Sequence, residues 1–170
     1  MSKRTLYWDT VLVVDDGIPE ELLEETLHNR PSDFVDGKVD DEPKSTTRYK
    51  SKQDIDASRL YNFIQEMNII PKLTNHKTVW HANYHVFNVK DNMGWHADSK
   101  YSIAVTLYLT NCVGGELQVL HDSGTQSILV SPTRNRLVVM KCDQAHRVLD
   151  VIEGQRDSIQ IFITYVKNGE

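Results

Sequence analysis

The stretch "GWHADSKYSIAVTLYL", residues 94–109, joins two potential metal ligands to a regular β-strand pattern. From residue 102 onward, small or polar residues alternate with aliphatic residues, which is typical of a strand whose two faces differ. The first set is Ser102, Ala104, Thr106 and Tyr108, and the second is Ile103, Val105, Leu107 and Leu109. His96 and Asp98 precede this strand. Side chains two residues apart on an extended chain point to the same face, so these two can reach one point.

An imidazole and a carboxylate that meet at one point are suitable ligands for Fe(II), Zn(II) or Mn(II). The pair alone is weak evidence. A chain of 170 residues with 7 His and 24 Asp plus Glu is expected to contain about one H-x-[D/E] pair by chance, even without a metal site. An exposed His–Asp pair at a strand end is the alternative interpretation. A second histidine would complete the set of two histidines and one carboxylate that is typical of non-haem Fe(II) sites with open positions.

The candidate for this third ligand is His146, which opens the apolar segment "HRVLDV", residues 146–151. The other five histidines fit less well. His28 ends a helix, His76 lies in a linker and His121 enters a turn. His81 and His85 lie on a strand, but neither has an acid two residues further on. The candidate metal site therefore consists of His96, Asp98 and His146.

An arginine heads the segment "RDSIQIFITY", residues 156–165. If this segment is a strand, four side chains share one face, namely Arg156, Ser158, Gln160 and Phe162, while the isoleucines take the other face. A buried charge without a partner is costly. The Arg156 guanidinium is therefore interpreted as the partner of a ligand carboxylate, which it can bind through two parallel hydrogen bonds. An exposed arginine at a strand end is the alternative.

Composition sets limits on the class of protein. The length favours one domain over residues 1–170, and the net charge of −5 with a pI near 5.8 argues against a dedicated nucleic-acid binder. Two cysteines, Cys112 and Cys142, are too few for a disulfide framework. No secretory signal or apolar run of ~18 residues is apparent. We expect a soluble, cytoplasmic protein with no membrane segment.

The N-terminal part, residues 1–77, reads as an opening strand at 6–16 and two helices, within 15–30 and 54–70. Between the helices, residues 31–53 form a long polar loop in which "TTRYKS" is a candidate short strand. Part of this loop, residues 35–53, is interpreted either as a lid over a substrate or as a passive surface segment.

From residue 78 to residue 167, short runs rich in Val, Ile, Tyr and Thr are separated by Gly, Pro, Asn and Asp. Many short strands at regular spacing favour a sandwich, jelly roll or barrel over a parallel sheet. The expected fold is therefore mainly β, with the N-terminal helices packed on a C-terminal β-core.

Taken together, "H96-A-D98", His146 and Arg156 resemble the 2-oxoglutarate and Fe(II)-dependent oxygenases, and most closely their prolyl-4-hydroxylase-type branch. The supporting motifs are "TLYL" at 106–109, "GGEL" at 114–117, "SPTRNRLVVM" at 131–140, and the ten-residue step from His146 to Arg156. The resemblance covers roughly residues 80–165 and implies a double-stranded β-helix, a jelly roll of the cupin-like type.

The resemblance also implies roles for individual residues. Fe(II) would be held by His96, Asp98 and His146, and the far carboxylate of 2-oxoglutarate would be bound by Arg156, Tyr108 and Ser158. The implied cofactors are Fe(II), 2-oxoglutarate as cosubstrate and O₂, with ascorbate as an optional addition. The implied reaction couples decarboxylation of 2-oxoglutarate to succinate with hydroxylation of a substrate, which for this branch is a proline in a protein or peptide.

The sequence departs from the pattern at two positions. Many prolyl hydroxylases have a tyrosine about nine residues before the first histidine, where this chain has Phe87, and Tyr84 is out of register. Arg156 resembles the oxygen-sensing and ribosomal prolyl hydroxylases, because many collagen-type members have lysine there.

Other functions stay open. "G-W-H-x-D" also resembles oxidative demethylases of alkylated nucleic acid, but the acidic charge, the "GGEL" motif, and Phe162 where a second arginine would be expected argue against that activity. A non-catalytic β-sandwich that binds metal or sugar would not need Arg156 and Tyr108 at one point. A zinc hydrolase would need a general base, and the sequence does not identify one.

Overall fold

The computed structural model describes residues 2–37 and 47–169 of the chain. These residues form helices α1 (Glu20–His28) and α2 (Ser58–Glu66) together with fourteen strands. In chain order the strands are β1 (Arg4–Tyr7), β2 (Val11–Val14), β3 (Val35–Asp36), β4 (Lys50–Lys52), β5 (His76–Phe87), β6 (Met93–His96), β7 (Ile103–Tyr108), β8 (Cys112–Gly114), β9 (Leu117–Leu120), β10 (Ser127–Val130), β11 (Leu137–Lys141), β12 (His146–Val148), β13 (Val151–Gly154) and β14 (Arg156–Lys167).

The strands form three antiparallel sheets. The large sheet has the order β1-β2-β11-β7-β14-β5-β4-β3, the small sheet has the order β10-β9-β12-β6, and β13 pairs with β8. β14 lies between β7 and β5, so that one residue of β14 has a direct neighbour on each side. The expectation of a mainly β chain is confirmed, and the antiparallel layers are consistent with a jelly roll.

Alternation along the central strands separates two hydrophobic cores. One face of the large sheet packs against the helices, where Leu23 and Ile64 are fully buried beside Ile161. Full burial of such a side chain contributes about 1.5–3 kcal/mol. The other face packs against the small sheet, where Phe162 and Tyr108 lie with Val119. Within the described residues, no helix is long and apolar enough to cross a membrane.

The opening segment, residues 6–16, was expected to be one strand, but it is a hairpin of β1 and β2. Trp8 and Asp9 have φ values of 52° and 57°, and the Thr10 amide donates a hydrogen bond of 3.1 Å to the Tyr7 carbonyl. Two central residues with positive φ are typical of the tight turn whose twist matches its flanking strands. The turn was missed because tryptophan is not a usual residue for it.

The polar segment 31–53 is not entirely a loop. β3 and β4 pair with each other, and β4 also pairs with the edge of β5. The short strand expected within "TTRYKS" therefore overlaps β4. The central part of the lid suggested for residues 35–53, residues 38–46, lies outside the described residues.

Candidate active site

The three candidate metal ligands meet at the edge of the small sheet. His96 ends β6, His146 begins β12, and the two residues lie directly opposite each other in the antiparallel pair. Asp98 follows two residues after β6, and its Oδ2 lies 3.6 Å from His146 Nε2 and 3.9 Å from His96 Nε2. One ligand atom from each residue lies within 4.8 Å of the others. The sequence-predicted triad is therefore assembled, and it could hold a metal ion.

Backbone carbonyls orient both imidazoles. His96 Nδ1 lies 2.8 Å from the Gly94 carbonyl oxygen, and His146 Nδ1 lies 2.9 Å from the Gln144 carbonyl oxygen. An imidazole that donates from Nδ1 to a carbonyl presents the lone pair of Nε2, which is the usual tautomer of a metal ligand. Both Nε2 atoms point toward Asp98, so the donor set suits a divalent transition metal.

Burial and neighbouring charge favour the ligating protonation states. Burial, followed by the positive charge that His146 carries when protonated, lowers the pKa of His96. For Asp98, burial acts to raise the pKa, but the attraction of the carboxylate to the His146 imidazole, followed by His96 and His85, when these are protonated, outweighs it and the pKa is lowered. A neutral imidazole beside an ionised carboxylate is the form that binds metal.

Arg156 lies at the start of β14 and is 3% exposed. Its guanidinium carbon lies 4.6 Å from the Phe87 ring centroid and 5.0 Å from the Tyr108 ring centroid. Its Nη1 is 3.5 Å from Ser158 Oγ, while its Nε has no hydrogen-bond partner. Among the residues that the structure describes, this guanidinium forms no ion pair. Because a buried charge is costly without an anion, the described part of this pocket suits an anionic ligand.

Tyr108 and Ser158 lie beside this guanidinium as the sequence predicted. They are directly opposite each other on β7 and β14. The Tyr108 hydroxyl is buried and has no hydrogen-bond partner in the described part of the chain. Gly115, of the "GGEL" motif, has φ 68°, and a Cβ there would lie 3.1 Å from Arg156 Cδ. The motif therefore leaves room for the arginine stem.

Two neighbouring cavities, which share three lining residues, surround these groups. A cleft of about 990 Å³ opens beside His96 and Asp98. A smaller inner cavity contains His146 and Arg156. The side chains that line both cavities are His85, Met93 and Gln160. A ligand that extends from the arginine to the metal ligands would pass these three residues.

One wall of the cleft is aromatic. The Tyr101 and Phe162 ring centroids are 4.5 Å apart, and the His81 ring lies 5.2 Å from Phe162 and 4.9 Å from Tyr101. The cleft is also bordered by charged side chains, which are Asp36, Asp54 and Lys100. Such a surface suits a ligand with an apolar ring or side chain next to polar groups.

Sequence reasoning missed His81 and His85 as cavity residues. They share one face of β5 with Asn83 and Phe87, and alternation alone could have grouped them. Which face turns inward depends on the pairing of β5 with β14, and no local signal specifies that pairing. Tyr84, noted as out of register, points to the opposite side and donates a hydrogen bond of 2.9 Å to Asp157 Oδ2.

A mainly β fold with a His-Asp-His cluster that could hold a metal ion, beside a buried arginine, is typical of the class of non-haem iron oxygenases. Residues 76–164, just over half of the chain, match the sequence profile of the 2OG-Fe(II) oxygenase superfamily. The chain belongs to this superfamily, as the sequence resemblance predicted. No curated protein sequence matches it.

Solved structures share the fold at low identity. An oxidoreductase of the 2OG-Fe(II) oxygenase family from Burkholderia pseudomallei is 16% identical with a TM-score of 0.70, over 92% of this chain and 86% of that chain. A prolyl-4-hydroxylase from Pseudomonas putida is 14% identical with a TM-score of 0.72, over 91% and 92%. A Trichoplax adhaerens prolyl hydroxylase in complex with a hypoxia inducible factor oxygen degradation domain peptide is 12% identical with a TM-score of 0.72, over 92% and 84%.

Proposed function

We propose that this oxygenase is a prolyl hydroxylase that acts on a protein or peptide. The observation that carries the proposed activity is the buried Arg156 guanidinium, for which the described residues offer no anion, in the cavity that also contains the metal ligand His146. A cation and a proposed metal ligand that line the same cavity fit a ligand with a carboxylate at one end and a metal-binding group at the other.

The proposed Fe(II) ligands are His96, Asp98 and His146. Fe(II), when bound, supplies the redox chemistry by which O₂ and 2-oxoglutarate give succinate, carbon dioxide and a hydroxylated substrate. The protein supplies three ligands and leaves the remaining positions open. The carbonyls of Gly94 and Gln144 keep both imidazoles in the ligating orientation.

The proposed cosubstrate site consists of Arg156, Tyr108 and Ser158. The guanidinium would bind the far carboxylate of 2-oxoglutarate, and the Tyr108 hydroxyl would donate a hydrogen bond to it. This assignment gives partners to the two buried polar groups, Arg156 Nε and the Tyr108 hydroxyl, that have none among the described residues. The surrounding apolar side chains exclude water and strengthen the ion pair.

The proposed substrate site is the open cleft. A proline ring has apolar CH groups that pack well on aromatic faces, and the wall formed by Tyr101, Phe162 and His81 offers such faces beside the metal ligands. The Trichoplax adhaerens structure of similar fold contains a bound peptide. This similarity supports a peptide substrate for the present chain.

We also infer that the chain is one oxygenase domain whose jelly roll is a double-stranded β-helix within residues 78–167. The facing antiparallel sheets and their similarity to oxygenase structures support this topology. The helices α1 and α2 would then support the large sheet from outside, while the face that carries Arg156 packs against the small sheet and lines the inner cavity.

The experiment is succinate formation from 2-oxoglutarate with Fe(II), ascorbate and a panel of proline-containing peptides. Asp98→Ala removes a metal ligand, and Asp122→Ala removes an exposed aspartate in the turn between β9 and β10 as the matched control. Turnover stimulated by a proline peptide, retained by Asp122→Ala and lost in Asp98→Ala, is the expected result. Turnover stimulated only by an alkylated oligonucleotide would reassign the substrate, and no 2-oxoglutarate binding would remove the cosubstrate site.

A further inference from the structure

His85 lines the inner cavity, but the proposed function assigns it no role. It lies on β5 directly opposite Ser158 of β14, and Ser158 lies directly opposite Tyr108 of β7. Directly opposed residues on one face of antiparallel strands have Cβ atoms about 4.5–5.5 Å apart. His85, Ser158 and Tyr108 therefore form one cross-strand row, which is adjacent to the row that contains Phe87 and Arg156.

The His85 imidazole is buried and has unused hydrogen-bonding capacity. It is 8% exposed and lines both the inner cavity and the cleft. Its ring contacts Tyr49 at 5.2 Å and Phe87 at 6.5 Å between centroids. Within residues 2–37 and 47–169, neither of its ring nitrogens has a hydrogen-bond partner. Neither nitrogen is among the fully buried polar atoms that lack a partner, so both are accessible to a ligand from the cavities that His85 lines.

The environment of His85 keeps the imidazole neutral. Burial, followed by the positive charge of Arg156, lowers its pKa to about 3. A neutral imidazole carries one N–H donor, and a carboxylate has about four lone-pair sites to accept from. The Arg156 guanidinium carbon lies 4.6 Å from the Phe87 ring centroid on the β5 side and 5.0 Å from the Tyr108 ring centroid on the β7 side. The Tyr108 hydroxyl is the neutral donor on the β7 side of a carboxylate bound there. Phe87 has no polar atom to offer, so His85 is the donor available at the other end of the row.

We propose that His85 is a further cosubstrate-binding residue, whose neutral imidazole donates a hydrogen bond to the 2-oxoglutarate carboxylate held by Arg156. The assignment rests on the proposed cosubstrate site. With this assignment, the carboxylate is bound by hydrogen-bond donors from the three adjacent strands β5, β14 and β7. Arg156 is the charged donor, and the others are neutral. Because the contact is made with the far carboxylate, it distinguishes 2-oxoglutarate from keto acids that lack that group.

The test is the dissociation constant of 2-oxoglutarate for the full chain loaded with Mn(II), measured by titration calorimetry without turnover. His85→Leu removes the donor, while His85→Asn and His85→Gln each place an amide N–H near one of the two ring nitrogens. His76→Leu, at the opposite end of β5 and outside both cavities, is the matched control. 2-Oxobutyrate, which keeps the keto acid but lacks the far carboxylate, is the second ligand.

We expect His85→Leu to weaken 2-oxoglutarate binding about ten-fold or more, as for loss of one hydrogen bond to a charged group. His76→Leu should stay within about two-fold. Either His85→Asn or His85→Gln should recover part of the affinity, and the Mn(II) affinity should be unchanged in all variants. Binding of 2-oxobutyrate should be equal in the wild type and His85→Leu.

Two results would overturn the assignment of His85 while leaving the oxygenase intact. The first is 2-oxoglutarate binding by His85→Leu within two-fold of the wild type. The second is an equal loss of 2-oxoglutarate and 2-oxobutyrate binding in that variant, which would mean a general disturbance of the pocket. Failure of the wild type to bind 2-oxoglutarate would instead reject the proposed cosubstrate site itself, so the two failures are distinguishable.

Discussion

The guanidinium of Arg156 lies 5.0 Å from the ring centroid of Tyr108, and both Arg156 Nε and the Tyr108 hydroxyl are buried without a hydrogen-bond partner in the described chain. Two unsatisfied polar groups side by side are destabilising in the free protein. A ligand that satisfies both gains from groups that are already desolvated and oriented. The free energy of unfolding of the ligand-free protein is thus lower than it would be with both groups satisfied, and ligand binding is favoured correspondingly.

Arg156→Ala should raise the dissociation constant of 2-oxoglutarate by about ten- to hundred-fold or more, because charge-assisted hydrogen bonds contribute ~1.5–3 kcal/mol. Titration of the Mn(II)-loaded protein measures this constant. Arg59→Ala, an exposed arginine of α2, is the control. An unchanged constant in Arg156→Ala would exclude this residue from the site.

Tyr108→Phe should weaken 2-oxoglutarate binding by a few-fold to about ten-fold, because one hydrogen bond contributes about 0.5–1.5 kcal/mol. In the ligand-free protein the same substitution should leave the free energy of unfolding unchanged or raise it, since it removes a buried hydroxyl without a partner. Denaturant unfolding with and without 2-oxoglutarate separates the two effects. A clear loss of stability without ligand would mean that the hydroxyl has a structural partner.

Asp157→Ala should destabilise the protein by about 2–4 kcal/mol, because a buried network loses its acceptor. Asp157 Oδ2 accepts hydrogen bonds from Arg30 Nε at 2.7 Å and from the Tyr84 hydroxyl at 2.9 Å. Arg30→Met should cost less, since its side chain is 38% exposed and solvent screens the pair. Urea unfolding measures both, and equal effects of the two variants would contradict this ranking.

His85 should make the metal-free protein sensitive to acid. Its pKa is about 3 in the folded chain and near 6.5 when unfolded, so below pH 6.5 the unfolded state binds a proton that the folded state excludes. Stability is therefore lost progressively as the pH falls from about 6.5 toward 3, and His85 accounts for about 2 kcal/mol between pH 7 and pH 5.

The measurement is urea unfolding at pH 7 and pH 5 in the presence of a chelator. His85→Leu should show a smaller difference between the two pH values than the wild type. His76→Leu, at the opposite end of β5, is the control and should keep the wild-type difference. The same pH dependence in all three proteins would show that His85 titrates normally.

Local patterns predicted much of the candidate site. The i, i+2 spacing of His96 and Asp98, together with His146 at the start of an apolar strand, indicated a metal site. The alternation after Arg156 indicated which side chains share its face of the strand. The structure brings the first three residues within metal-binding distance and buries Arg156 with Ser158. These predictions succeeded because alternation along an extended chain has a fixed period of two.

Other features could not be predicted from local patterns. The turn at Trp8 and Asp9 depends on positive φ values at residues that rarely adopt them. His85 has no nearby acid in sequence and gains its position from the register that sets it opposite Ser158. Register across strands depends on which faces are buried together, and distant segments decide that.

By itself, the sequence predicted the superfamily, the mainly β character, the candidate metal ligands and the face that Arg156 and Ser158 share on β14. These depend on residue types at short spacings, which the chain carries wherever it folds. Only the tertiary structure decided that β5 lies beside β14, and hence that His85, Ser158 and Tyr108 form one row next to Arg156. The physical reason is that such a row is made of side chains far apart in sequence, held together by interstrand hydrogen bonds and by the packing of two cores.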